Sequence, residues 1–98
     1  MYGLINKMTT TPGQRDALAA ILVRGSAGLP GCLSYVVAKD AAEPEALWIT
    51  EVWADAESHR ASLLLPAVRA AIAAGRGMIT GMPVRVVTDV VGRDGVAA

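Results

Sequence analysis

His59 is the only histidine of the chain and follows Trp53 by six residues, within the stretch LWITEVWADAESHRASLLLP at positions 47–66. A histidine exchanges its proton near neutral pH, so His59 is a candidate general base. Glu51 and Trp53 are separated by one residue, which places them on the same face of any strand through both. Trp53 can wall a planar ligand. Glu51 is a carboxylate inside an apolar run; if buried, it must be paired or have its pKa raised, and it reads as a hydrogen-bonded structural group before it reads as a base. One turn after His59, helical spacing sets Ser62 on the same face. Asn6 is an amide in a strand, where asparagine is uncommon, and a buried amide needs partners; it could orient a substrate carbonyl. Tyr35 and Arg85 could line a cavity. Each residue also has a plainer role. His59 could be a surface residue beside Arg60, Asn6 a bond to neighbouring main chain or a dimer contact, Trp53 core, and Tyr35 and Arg85 interface and rim. Cys32 has no second cysteine to pair with and reads as a small core residue. Met78 and Met82 flank the start of the last strand and read as loop packing.

The elements that must position these groups follow from periodicity. Tyr2 to Thr9 alternates as a strand. TTPGQ breaks it, with Thr11 as N-cap and Pro12 as first helical residue. Ala17, Leu18, Ile21 and Leu22 form the stripe of a helix ending near Gly25 to Gly28. LPGCLSYVVAK is a strand reached through a Pro-Gly turn, DAAEPEA a hairpin loop, and LWITEVWA a strand rich in aromatic and β-branched residues. Asp55 caps a helix that carries His59. Pro66 interrupts that helix and starts a second, PAVRAAIAAG. MPVRVVTDVV is the last strand, and GRDGVAA reads as a frayed tail.

The order is β-α-β-β-α-β, a ferredoxin-like α+β fold with helices on one face of a four-stranded antiparallel sheet of strand order 4-1-3-2. One domain is expected over residues 1–98, with a core of about 2–91 and a flexible tail over 92–98. The third and fourth strands are apolar on both faces: Leu47, Ile49 and Trp53 alternate with Trp48 and Val52, and Val84 and Val86 with Val87. If Trp53 faces the helices, Trp48 faces away. The uncovered face predicts a homodimer packed sheet to sheet.

Bulk properties narrow the partners. The chain has 98 residues, 53% of them hydrophobic, and nine basic residues balance nine acidic ones. No basic run argues for nucleic acid or an anionic membrane. No apolar stretch approaches the ~18–20 residues of a membrane span, and the N-terminus lacks a signal-peptide pattern. A cytoplasmic protein is expected. No dinucleotide fingerprint, P-loop or metal-ligand spacing is present, so no cofactor and no metal are expected.

Three segments in this order, TTPGQRDAL, LPGCLSY and EVWADAESHRASLLLP, resemble the antibiotic biosynthesis monooxygenase (ABM) family of the dimeric α+β barrel superfamily. The resemblance spans about residues 2–91. It implies a homodimeric barrel with a cavity between sheet and helices in each protomer. It also implies, as in several relatives, cofactor-independent oxidation of an aromatic polyketide or quinol-type substrate by molecular oxygen, the deprotonated substrate itself reducing the oxygen. On this basis His59 and Asn6 are the catalytic candidates, and Trp53, Tyr35, Ser62 and Glu51 the substrate-binding ones. His59 corresponds to a substrate-contacting tyrosine of anthrone-type oxygenases, and Ser62 to a position that is often histidine in quinol-oxygenase relatives. Haem-degrading relatives share an asparagine at Asn6, but their tryptophan and histidine positions fall here on Ser62 and Ile72, which disfavours haem. The alternatives are a non-catalytic dimeric small-molecule-binding protein of the same fold, or an isomerase-type relative.

Overall fold

In the computed structural model, which describes residues 1–97, four strands form one antiparallel sheet in the order β2-β3-β1-β4. They are β1 (Tyr2–Thr10), β2 (Cys32–Lys39), β3 (Ala46–Trp53) and β4 (Ile79–Asp89). Helices α1 (Arg15–Gly25), α2 (Ala56–Ser62) and α3 (Pro66–Gly75) connect them, with a short 3₁₀ turn at Arg76–Met78. This is the ferredoxin-like α+β arrangement that the strand and helix patterns predict, with the split of the second helix at Pro66.

Register sorts side chains by face. β1 pairs β3 with Tyr2 opposite Trp53, Leu4 opposite Glu51 and Asn6 opposite Ile49. β2 pairs β3 with Tyr35 opposite Glu51, and β1 pairs β4 with Asn6 opposite Arg85. These residues point towards the helices. Leu18, Leu47 and Ile49 form the buried core there, with Met8, Leu22, Tyr35 and Val37 packed around it. Burying side chains of this size is worth about 1.5–3 kcal/mol each. The other face carries Trp48, Val52 and Val84, half-buried, and Ile5, Val36 and Val86, exposed at 37%, 49% and 43%.

Several boundaries differ from the sequence reading: β4 begins at Ile79, three residues before the Met82 expected, and ends at Asp89 rather than Val91. Helix α1 starts at Arg15, not Pro12, and its N-cap Gln14 makes no side-chain cap bond. Gly13 has φ +79, and the Gln14 amide donates to the Thr11 carbonyl at 3.2 Å. Pro12-Gly13 is therefore the centre of a turn, which a helix cannot include. At the other end, Gly92–Arg93 (β5) and Val96–Ala97 (β6) pair as a hairpin where the sequence predicted fraying. Its two-residue turn is Asp94-Gly95, both at positive φ, and Arg93 Nη2 donates to the Leu33 carbonyl at 3.2 Å. Asp-Gly is the dipeptide that favours such turns, so the signal was present in GRDGVAA.

Candidate functional site

A cavity of about 690 Å³ opens between the sheet and the helices. Its sheet wall carries Tyr35, Glu51 and Trp53, and its helical wall includes His59, Ser62 and Leu63. Val68 and Ile72 of α3, and Ile79, Met82 and Arg85 of β4, extend the lining. A mainly apolar concavity with a few polar groups is the form small-molecule sites usually take.

The turn between β3 and α2 is what brings His59 over the sheet. Asp55 is extended and accepts from the Ser58 amide at 2.7 Å. That bond from the first turn of α2 holds the Asp55 carboxyl below the usual carboxylate range. The Ala54 amide donates to the Gly31 carbonyl at 2.8 Å, tying this turn to the segment before β2. Gly31 lies against α2, where a Cβ would sit 2.4 Å from Ser58 Oγ, and its φ of +77 also favours glycine. The Pro-Gly of LPGC thus lets β2 begin directly beneath the helix that carries His59.

The His59 ring packs between two aromatics. It stacks on Tyr2 with a centroid distance of 5.6 Å and meets Trp53 edge-on at 5.3 Å. Trp53 is 1% exposed, and its Nε1–H donates to Glu51 Oε1 at 3.0 Å. Burial pushes the Glu51 carboxyl up, opposed by this bond and by the attraction of His59. Burial also pushes the Tyr35 phenol up, with the Glu51 charge adding to it and Cys32 contributing least. Tyr35 is therefore a hydrogen-bond donor at neutral pH and not a base. Ser62 is buried, and its hydroxyl donates to the His59 carbonyl at 2.6 Å, a local bond that fixes the end of α2.

Five of the six expected site residues, His59, Trp53, Tyr35, Ser62 and Glu51, line this one cavity. Asn6 does not belong to its lining. It is 8% exposed at the centre of β1, and its Oδ1 is buried without a partner. The residue between Leu4 and Met8 lies under the core cluster rather than under α2, so strand parity placed it on the right face but too far along it. Arg85 does line the cavity, as does Arg76, which the sequence reading passed over. Tyr2 was also missed as a partner of His59; its place opposite Trp53 depends on register. Trp48 faces the other way. Its Nε1–H donates to Asp40 Oδ2 at 2.8 Å, and the Lys7 ammonium lies 5.6 Å from its ring centroid. Cys32 is half-buried, its thiol donating to the Ser34 carbonyl at 3.6 Å and pushed up by burial, while Met78 packs against the core. Among the described residues, no helix is long and apolar enough to cross a membrane.

The family model for antibiotic biosynthesis monooxygenase matches residues 1–74. A crystal structure from Chloroflexus aurantiacus J-10-fl carrying that family name is 58% identical, with 98% of each chain covered and a TM-score of 0.94. Structures with the same family name from Deinococcus radiodurans and Caulobacter crescentus are 22% and 21% identical, with TM-scores of 0.79 and 0.83. The first aligns over 100% of both chains, the second over 93% of this chain and 90% of its own. These two likenesses concern the fold. No curated protein matches the chain.

Proposed function

The chain belongs to the antibiotic biosynthesis monooxygenase family, and from that membership we propose that it is a homodimeric, cofactor-independent monooxygenase acting on an aromatic polyketide or quinol-type substrate. The observation that carries this reading is the apolar cavity in which His59, backed by Trp53 and Tyr2, faces the space beside Tyr35 and Glu51. A planar phenolic ring fits beside such an aromatic corner. His59 takes a proton from the substrate, and Tyr35, kept protonated, donates a hydrogen bond to the oxyanion that develops. Trp53, buried behind His59, holds the imidazole in place, and Glu51 fixes Trp53 through its indole N–H. The electron-rich anion gives electrons to molecular oxygen and couples to it at carbon. Loss of water from the resulting hydroperoxide leaves a ketone. In an anthrone a ring CH₂ and O₂ thus become C=O and H₂O, and a quinol and O₂ become a hydroxyquinone and H₂O, with oxygen as the only oxidant and the substrate as the only reductant.

The test is oxygen uptake with a panel of anthrones and hydroquinones, with chelator present and no flavin added. Uptake matched by quinone formation is the expected result. His59→Phe keeps the aromatic contact without the base, and is expected to lower kcat by about 10²–10⁴-fold, the usual worth of general base catalysis. Saturable binding without oxygen uptake would favour a binding protein of the same fold. Equal rates for His59→Phe and the native protein would remove His59 from the chemistry.

A further inference from the structure

The charges around the cavity are unbalanced although the chain as a whole is neutral. Among the described residues lining it, Glu51 is the sole carboxylate, and its side chain is turned to the Trp53 indole. Arg76, in the turn after α3, and Arg85, on β4, line the same cavity and are exposed. The ion pairs among the described residues join Lys7 to Glu43, Lys39 to Asp16, Arg60 to Glu57 and Arg93 to Asp94. Neither cavity arginine takes part in one. Arg85 also leaves the buried Oδ1 of Asn6, directly across the strand pair, without a bond.

We infer that the ligand of this cavity is an aromatic acid, with its apolar ring system against His59, Leu63 and the α3 side chains and a carboxylate held by Arg85 and Arg76. A guanidinium offers paired N–H donors that match the two oxygens of a carboxylate. The apolar lining requires the rest of the ligand to be uncharged. An anion placed near two cations is guided inward by the same field that would repel an amine. This inference rests on the cavity being the ligand site, as proposed above, but not on oxygen chemistry.

The test compares a matched pair of probes, 9-anthracenecarboxylate and 9-anthracenemethanol, by isothermal calorimetry and tryptophan quenching under argon. The acid is expected to bind about tenfold or more tightly than the alcohol, the size of one charge-assisted hydrogen bond, with the preference shrinking as salt rises. Arg76→Gln/Arg85→Gln is expected to abolish that preference while leaving the affinity for the alcohol unchanged. Both arginines are exposed and unpaired, so the variant should keep the native circular dichroism. Equal affinities, a preference for the alcohol, a preference that survives the double substitution, or no binding of either probe up to millimolar concentration would overturn the inference. Because no turnover is measured, an absence of oxygen uptake would leave this result standing, and the two readings fail separately.

Discussion

At the scale of single residues, Glu51 is the acid whose place in an apolar strand called for explanation. Its carboxylate accepts the Trp53 N–H within the sheet wall, so it acts on the site through another side chain. Its pKa sign is opposite to that of most acids that stabilise folds. Burial raises it above its ordinary 4.5, so the folded chain holds the proton more tightly than the unfolded one. The penalty for its charge is absent below about pH 4.5 and grows as pH rises through the folded value. Glu51→Gln keeps an acceptor for the indole and removes the charge. Its expected effect is a higher Tm at pH 7–8 that fades towards pH 4, read by thermal melts across that range; a gain independent of pH would contradict the argument. Glu51→Leu strands a buried N–H and is expected to cost about 1–3 kcal/mol in denaturant titration. That Glu51 and Trp53 share a face was legible from their spacing. That their side chains bond to each other was not, because two residues of one strand can share a face and still make separate contacts.

At the scale of elements, two turns position what matters. Gly31 sits under α2 with no room for a side chain. Gly31→Ala adds a Cβ in a left-handed conformation against Ser58. The expected cost is about 1–3 kcal/mol, together with a displaced α2, seen as changed near-ultraviolet dichroism of Trp53 and lost ligand binding. Stability and binding unchanged in that variant would show that α2 is not held from below. The second turn is the β2–β3 hairpin loop, where the Asp40 carboxylate accepts from Trp48 Nε1 and from the amides of Ala42 and Glu43. The Trp48 bond first, and the amides after it, bring Asp40 from 3.8 to about 2. A depressed acid stabilises the fold above its unfolded pKa, and that contribution is lost as pH falls from about 3.8 towards about 2. Asp40→Ala is therefore expected to flatten the acid limb of a stability profile over that interval while leaving the cavity's ligand affinity unchanged. An acid limb as steep as that of the native chain would count against it. DAAEPEA was legible as a loop from its composition. The amide bonds of Ala42 and Glu43 to Asp40 are the local turn bonds an aspartate makes, whereas the Asp40–Trp48 bond was not legible, because it needs the pairing of two strands.

At the scale of the whole molecule, the uncovered sheet face decides how the protein behaves in solution. Ile5, Val36 and Val86 leave apolar surface in the open on the side away from the helices, and contiguous apolar surface of this kind is expected to be covered. A dimer is the expected species in sedimentation experiments. Val36→Lys is expected to shift it to monomer, and a native chain that sediments as a monomer at tens of micromolar would contradict the packing of sheet on sheet. The element order, the faces of Trp48 and Trp53, the break at Pro66 and the apolar character of both sheet faces were determined by the sequence alone, because each follows from local periodicity and turn chemistry. Tertiary structure alone decided that Asn6 lies outside the cavity while Arg76 and Arg85 border it, and that Tyr2 backs His59. Those relations depend on strand register and on where α2 and α3 cross the sheet, and such distances are set by the packing of segments far apart in the chain.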